Sequence, residues 1–209
     1  MNTHIKQRGF TLIEGIITIV LLAIAMITLV SFLFPQVELS AVPHYQARSA
    51  AIADAIFNEI LSRQFDEKSD PNGDSVYRCG ENDAEGELIE CTATVRFGPD
   101  SPQEASNSAF SNDVDDFIGC WGNTEQCPDS YIYNDSAYVK PSLTSRRGDL
   151  IDLMPSQKSD SAINNADYTH IYATVDVNYG PSQTLKKITV KVDAGRYGSY
   201  DYMAYRGNY

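Results

Sequence analysis

"QRGFTLIEGIITIVLLAIAMITLVSFLFP", from Gln7 to Pro35, is the stretch whose reading decides the architecture. Between Phe10 and Phe34 the one charged residue is Glu14. At about 1.5 Å of rise per residue that run makes about 37 Å of helix, enough to cross a hydrocarbon core of about 30 Å. The segment before it, "MNTHIKQRG", carries Lys6 and Arg8 and no acid. Positive residues hold that end in the cytoplasm, so the chain after Pro35 faces outward. Two features do not suit a plain anchor or a secretory signal. An acid within the bilayer is costly and usually functional. No small-x-small cleavage site follows the apolar run in "SFLFPQVELSAVP".

The rest of the 209 residues makes one domain of ordinary size with a real core. A net charge of −12 argues against nucleic acid, whose phosphates need Lys and Arg. Tyr is abundant and Lys sparse, unlike a disordered acidic tail. Four cysteines fall into two close pairs, Cys79 with Cys91 and Cys120 with Cys127. In a chain that leaves the cytoplasm this predicts two disulfides. A four-thiolate zinc site is the competing reading, although both spacings are wider than the C-x2-4-C that zinc prefers.

Pro35 and Pro43 predict a bend or short break in the helix. Helical periodicity resumes in "HYQARSAAIADAIFNEILSRQF", with Ala51, Ile52, Ala55, Ile56, Ile60 and Leu61 as the apolar face. "DEKSDPNGD" ends it with turn residues. "SVYRC" and "ELIECTATVRF" predict two strands of a hairpin tied by Cys79 and Cys91. "YTHIYATVDVNYG" and "LKKITVKVDAG" alternate apolar and polar residues across a "GPSQT" connection and predict an antiparallel pair. "RYGSYDYMAYRGNY" reads as an edge strand or a surface segment, and "RRGDLIDLMPSQKSDSAINNA" has no clear pattern. A long helix followed by strands is an α+β arrangement.

The combination of a short basic leader, Gly9, an aromatic residue, "TLIE" and an apolar helix resembles the N-terminus of type IV prepilins and of type II secretion pseudopilins. The resemblance implies the pilin fold: a long spine helix, membrane-spanning in its first half, packed on an antiparallel β-sheet head. It implies that a prepilin peptidase cuts between Gly9 and Phe10 and methylates the new amine of Phe10. The expected division is a leader at 1–9, a membrane and filament-core helix at 10–34, the amphipathic half of the spine at 35–65, and a β-rich periplasmic head at 66–209. The expected partners are other major and minor pilins, the peptidase, an inner-membrane assembly platform and, before assembly, membrane lipid. The expected location is the inner membrane, N-terminus in the cytoplasm, and then a filament at the cell surface. Glu14 lies one turn below the new amine, and in this family it pairs with the amine of a neighbouring subunit. The alternative is a helix cap, since an acid in the first turn suits the macrodipole.

No catalytic pattern occurs, so no enzyme is expected. His4 belongs to the leader, His44 sits beside a presumed helix start, and His170 lies in a presumed strand without a second ligand at metal spacing. Two acidic clusters are weighed for calcium: Asp66, Asp70, Asn72 and Asp74, and Asp113, Asp115 and Asp116. Solvated acidic loops are the preferred reading, and no cofactor is expected. Arg-Gly-Asp within "RRGD" is a chance match at this length. The stretches "YQARSAAIADAIFNEILSRQFDEKSDPNG" and "DVDDFIGC" resemble more narrowly the minor pilins of mannose-sensitive haemagglutinin (MSHA) pili. The expected role is therefore a minor pilin that assembles, primes or caps a type IV pilus. A minor pseudopilin of type II secretion and a pilus-borne adhesin are the alternatives.

Overall fold

The computed structural model describes residues 11–69, 78–154 and 168–208. The chain divides into two compact units, Met1–His44 and Tyr45–Tyr209. The first helix, α1 (Leu12–Leu61), begins in the first unit and ends in the second.

In the first unit, Leu12–Phe34 has a mean hydropathy of 2.9 and none of its most apolar stretch is buried by the chain itself. Its hydroxyls are satisfied locally. Thr18 donates to the Gly15 carbonyl at 2.9 Å, Thr28 to Ala25 at 2.8 Å and Ser31 to Ile27 at 2.7 Å. A helix that meets its own polar needs suits a medium without water. The predicted break does not occur, because α1 runs through both Pro35 and Pro43. Each proline removes one backbone donor, at a cost of about 3 kcal/mol. The two are far enough apart for intact turns on either side to carry the helix through.

In the second unit, Tyr45 to Leu61 of α1 presents Ile52, Ala53, Ile56 and Ile60 to the core. Ala53 takes the inward place expected of Ala51, which is exposed. These side chains meet a six-stranded sheet of order β2-β3-β1-β4-β5-β6. The strands are β1 (Gly119–Trp121), β2 (Asp129–Ser130), β3 (Ser145–Gly148), β4 (Tyr172–Tyr179), β5 (Leu185–Asp193) and β6 (Ser199–Gly207). A short helix, α2 (Pro102–Ser106), is closed by a capping box between Ser101 and Glu104.

The β4–β5–β6 meander is antiparallel, and its alternation works as the sequence implies. Val175 pairs with Val190 and Val177 with Ile188, all buried. β6 pairs with β5 along its whole length. The sheet as a whole is mixed, which corrects the expected antiparallel head. β3 runs parallel to both β1 and β2. The chain between β1 and β3 is long enough to return to the same end of the sheet, as a parallel pair requires.

The hairpin expected around Cys79 and Cys91 is present only as a short turn-back among the described residues. Ser75 to Tyr77 lie outside the described residues. From Arg78 to Phe97 the chain turns back on itself only briefly, through a bridge between Asn82 and Leu88 and hydrogen bonds from Gly80 N–H to Ile89 O at 2.6 Å and from Ile89 N–H to Glu81 O at 2.9 Å. A 3-10 turn at Thr94–Arg96 replaces the rest of the second strand. Asp83 organises the loop by accepting from the backbone N–H of Glu85 at 3.0 Å and of Glu87 at 2.8 Å. Leu88 and Val95 stay exposed, so no apolar face holds longer strands here. The unpatterned stretch after Thr144 forms β3 and a 3-10 turn at Leu150–Leu153 that supplies Leu150, Ile151 and Leu153 to the core. His44 is exposed within α1 rather than beside a helix start, and His170 is exposed in the turn before β4 rather than in a strand.

Candidate functional site

Glu14 is exposed in the first turn of α1, with its N–H directed to the Thr11 carbonyl at 3.1 Å. It is the one acid among the residues of the Leu12–Phe34 span. Gly9 and Phe10, where processing is expected, lie outside the described residues.

In the head, the acids expected in solvated loops are buried. Asp66, Asp113, Asp115 and Asp116 are each 2% exposed or less. Asp70, Asn72 and Asp74 of the first cluster lie outside the described residues. The two clusters meet through one residue that the sequence reading passed over. Lys186, fully buried on β5, places its ammonium 3.0 Å from Asp66 Oδ2 and in contact with Asp115 Oδ1. The rings of Phe65, Phe97 and Tyr179 wall it in, with centroids 5.0, 4.7 and 5.8 Å from Nζ. The signal for Lys186 was present in "LKKITVKVD". Ile188, Val190 and Val192 fix the inward face of the strand, and Lys186 falls in phase with them. A lysine at such a position demands buried carboxylates.

Burial raises the pKa of Asp113 well above the usual carboxylate range, helped by the carboxylates of Asp115 and Asp116. Burial also raises Asp115 against the opposing pull of Lys186. Asp116 is pushed up to about 8, first by burial and then by Glu104. Burial works to lower the Lys186 pKa, but Asp115, Asp113 and Asp66 outweigh it and raise it. Among the described residues, no three His, Cys, Asp or Glu side chains converge as metal ligands. The place between Asp66 and Asp115 where a cation would sit is held by the lysine.

The Arg-Gly-Asp stretch is not presented as a ligand, because the Arg147 side chain is buried. Its guanidinium donates to the carbonyls of Asp116, Ile118 and Glu104 and lies over Trp121 and Tyr131. The four cysteines are joined as Cys79–Cys91 and Cys120–Cys127, with Cα separations of 4.6 and 5.6 Å. Beside the second bridge is an open hollow of about 610 Å³ bordered by Glu125, Gln126, His170, Arg196 and Tyr197.

Residues 5–30 match the family described as the prokaryotic N-terminal methylation motif. The match supports a type IV pilin-like chain, a pilin or pseudopilin subunit rather than an enzyme. It implies processing by a prepilin peptidase and assembly with other pilins. The apolar helix at Leu12–Phe34 fits the single-pass inner-membrane anchor of such a subunit. No curated protein and no solved structure matches the chain.

Proposed function

We propose that this chain is an MshD-like minor pilin that assembles, primes or caps an MSHA-type pilus. The observation that carries the reading is Glu14 in the first turn of an otherwise apolar helix, inside a prepilin-type motif. Cleavage between Gly9 and Phe10 creates an amine one turn from this carboxylate. The exposed Leu12–Phe34 surface rests in lipid before assembly and against like helices afterwards, since both media cover apolar area. In either medium a lone carboxylate is unfavourable, and the charge finds its partner in the amine of a neighbouring subunit.

The test is Glu14→Val. Membrane insertion is expected to persist or improve. Recovery of the subunit in sheared filaments is expected to fall. Undiminished recovery would reduce Glu14 to a helix cap and remove the support for docking.

The hollow beside the Cys120–Cys127 loop favours one second reading, an adhesin carried on a pilin stem. Cells lacking this protein separate the two. Lost pili support the assembly role, whereas lost surface binding with normal pili supports the adhesin.

A further inference from the structure

Lys186, Asp66 and Asp115 are held together with almost no water. Each is 1% exposed or less, and the ammonium touches one oxygen of each carboxylate. The two acids are not equivalent. Asp66 accepts from Lys68 N at 3.2 Å and from Thr92 N and Thr92 Oγ1 at 3.2 and 3.1 Å, in addition to Lys186. These donors fix the Asp66 carboxylate beside the ammonium. Asp115 accepts from Lys186 on Oδ1 and from one backbone donor, Gly98 N–H, at 3.3 Å on Oδ2. Asp115 thus has fewer donors on its carboxyl than Asp66 has. The aromatic walls of Phe65, Phe97 and Tyr179 keep bulk water away, and Tyr179 is itself fixed by donating to the Thr92 carbonyl at 2.8 Å.

We propose that Lys186 and Asp115 condense into an intramolecular isopeptide bond, with Asp66 shuttling the proton. The ion pair first exchanges one proton, leaving Lys186 as a neutral amine and Asp115 as a carboxylic acid protonated on Oδ1. Nζ attacks Cγ of Asp115 and forms the C–N bond. Negative charge developing on Oδ2 is met by the Gly98 N–H. Asp66 takes a proton from the nitrogen and returns it to Oδ1, and the Cγ–Oδ1 bond breaks with release of water. Of the three protons on the ammonium, one stays on the amide and two leave with the oxygen. No oxidant, metal or other reagent is required. Nucleophile and electrophile are pre-positioned, which for intramolecular reactions corresponds to effective molarities of about 10⁵–10⁸ M. The Asp66 carboxylate, on the same ammonium, adds to the burial that raises the Asp115 pKa. Against burial, the carboxylates of Asp115, Asp113 and Asp66 raise the Lys186 pKa as well, so the ion pair is the resting form and the neutral pair is the reactive one.

The bond would fasten the turn before β1 to the sheet strand β5, across 71 residues of sequence. Such a link keeps the head closed against pulling and proteolysis. This inference does not rest on the pilus reading.

The experiment is mass spectrometry of the full chain purified from membranes, with peptide mapping by a protease that does not cut at Lys. The expected chain is lighter by one water than its residues and two disulfides require. One branched peptide should join Lys186 to Asp115. A chain of full mass with the two peptides recovered separately would overturn the proposal and leave an ion pair, and so would a water lost at another site. Asp115→Asn keeps the shape and should close the same amide by releasing ammonia, giving a product identical in mass to the linked natural chain. Asp115→Ala should show no loss. Asp66→Asn should leave the chain linear, and closure undiminished in that variant would overturn the shuttle. If Asp115→Ala fails to fold, the isosteric Asp115→Asn still decides.

Discussion

Arg147 Nη1 donates to the carbonyl oxygen of Asp116 at 2.7 Å, joining β3 to the turn that leads into β1. The same nitrogen donates to Ile118 O at 3.0 Å, and Nη2 to Glu104 O at 3.1 Å. One buried guanidinium therefore satisfies carbonyls from α2, the turn and the approach to β1. Arg147→Ala leaves these acceptors without a donor and opens space beside Trp121. The expected loss is about 3–5 kcal/mol. Arg147→Lys should recover only a part, because an ammonium lacks the planar fork. The chain has one Trp, and it is buried, so its fluorescence reports the urea midpoint. A loss of unfolding free energy below about 1 kcal/mol would show that water replaces the guanidinium.

The buried acids predict an unusual pH dependence. Asp116 is raised to about 8, and Asp113 is raised as well. Half-buried Asp100 is raised to about 6, first by burial and then by Glu67. An acid with a raised folded pKa holds its proton more tightly in the folded chain than in the unfolded one. Unfolding between about pH 4 and pH 8 then releases protons, so stability falls as pH rises through that window. Unfolding free energies from urea titrations should drop between pH 5 and pH 8 by on the order of 1–3 kcal/mol. Asp116→Asn should flatten the slope, because Oδ1 of the amide can still accept from Asn112 and Asp113 N–H as the acid does. Stability rising over this range would mean that the acids are ionised in the folded head.

The sequence made the stem and the meander legible for one reason: a simple period repeats for long enough to outweigh exceptions. The Leu12–Phe34 run and the alternation of Val175, Val177, Ile188, Val190 and Val192 are of this kind. β1, β2 and β3 have two to four residues each, too few for any period to show. Their parallel pairing depends on where a long connection returns. The acidic clusters misled because composition alone describes a solvated loop. Burial of Asp66 and Asp115 becomes visible only when Lys186 is brought beside them from 120 and 71 residues away. The continuous helix through Pro35 and Pro43 shows that a proline's local cost does not decide an element supported on both sides.

Gly119 begins β1 at φ +135°, a conformation that L side chains rarely adopt. A Cβ there would meet Arg147 Cγ at 2.5 Å and the Ser145 carbonyl at 2.9 Å. The carbonyl belongs to β3 and cannot move without breaking the β1–β3 pairing. Gly119→Ala is therefore expected to cost about 2–4 kcal/mol through backbone strain and overpacking together. Gly86 has positive φ too, but nothing lies within 4 Å of its Cβ position. Gly86→Ala should cost only about 1 kcal/mol, the backbone part alone. Equal losses in the two variants would remove the close approach at Gly119 as the cause.

The two disulfides should stabilise different parts of the head. Each closes a short loop, with sequence separations of 12 and 7, so chain entropy assigns roughly 2–3 kcal/mol to each. Their surroundings differ. Cys79 is tied to the end of β6, where its carbonyl accepts from Asn208 Nδ2 at 2.8 Å. Its N–H donates to Ser69 Oγ at 3.2 Å, and Ser69 in turn bonds Asn208 Oδ1 at 3.1 Å. Cys120 lies within β1 opposite Thr174 of β4. Replacing Cys79 and Cys91 by Ala should therefore speed amide hydrogen exchange at Asn208, whose N–H bonds the Thr184 carbonyl at 3.0 Å, and leave β1 protected. Replacing Cys120 and Cys127 should speed exchange in β1 and at Gly122 N–H, which bonds Gly148 O at 2.9 Å, and leave Asn208 unchanged. Exchange measured residue by residue by NMR on the full chain in detergent decides the matter. If either double variant accelerates both regions equally, the bridges act only through global stability, and the local ties of Cys79 to Asn208 and of Cys120 to β4 carry no separate weight.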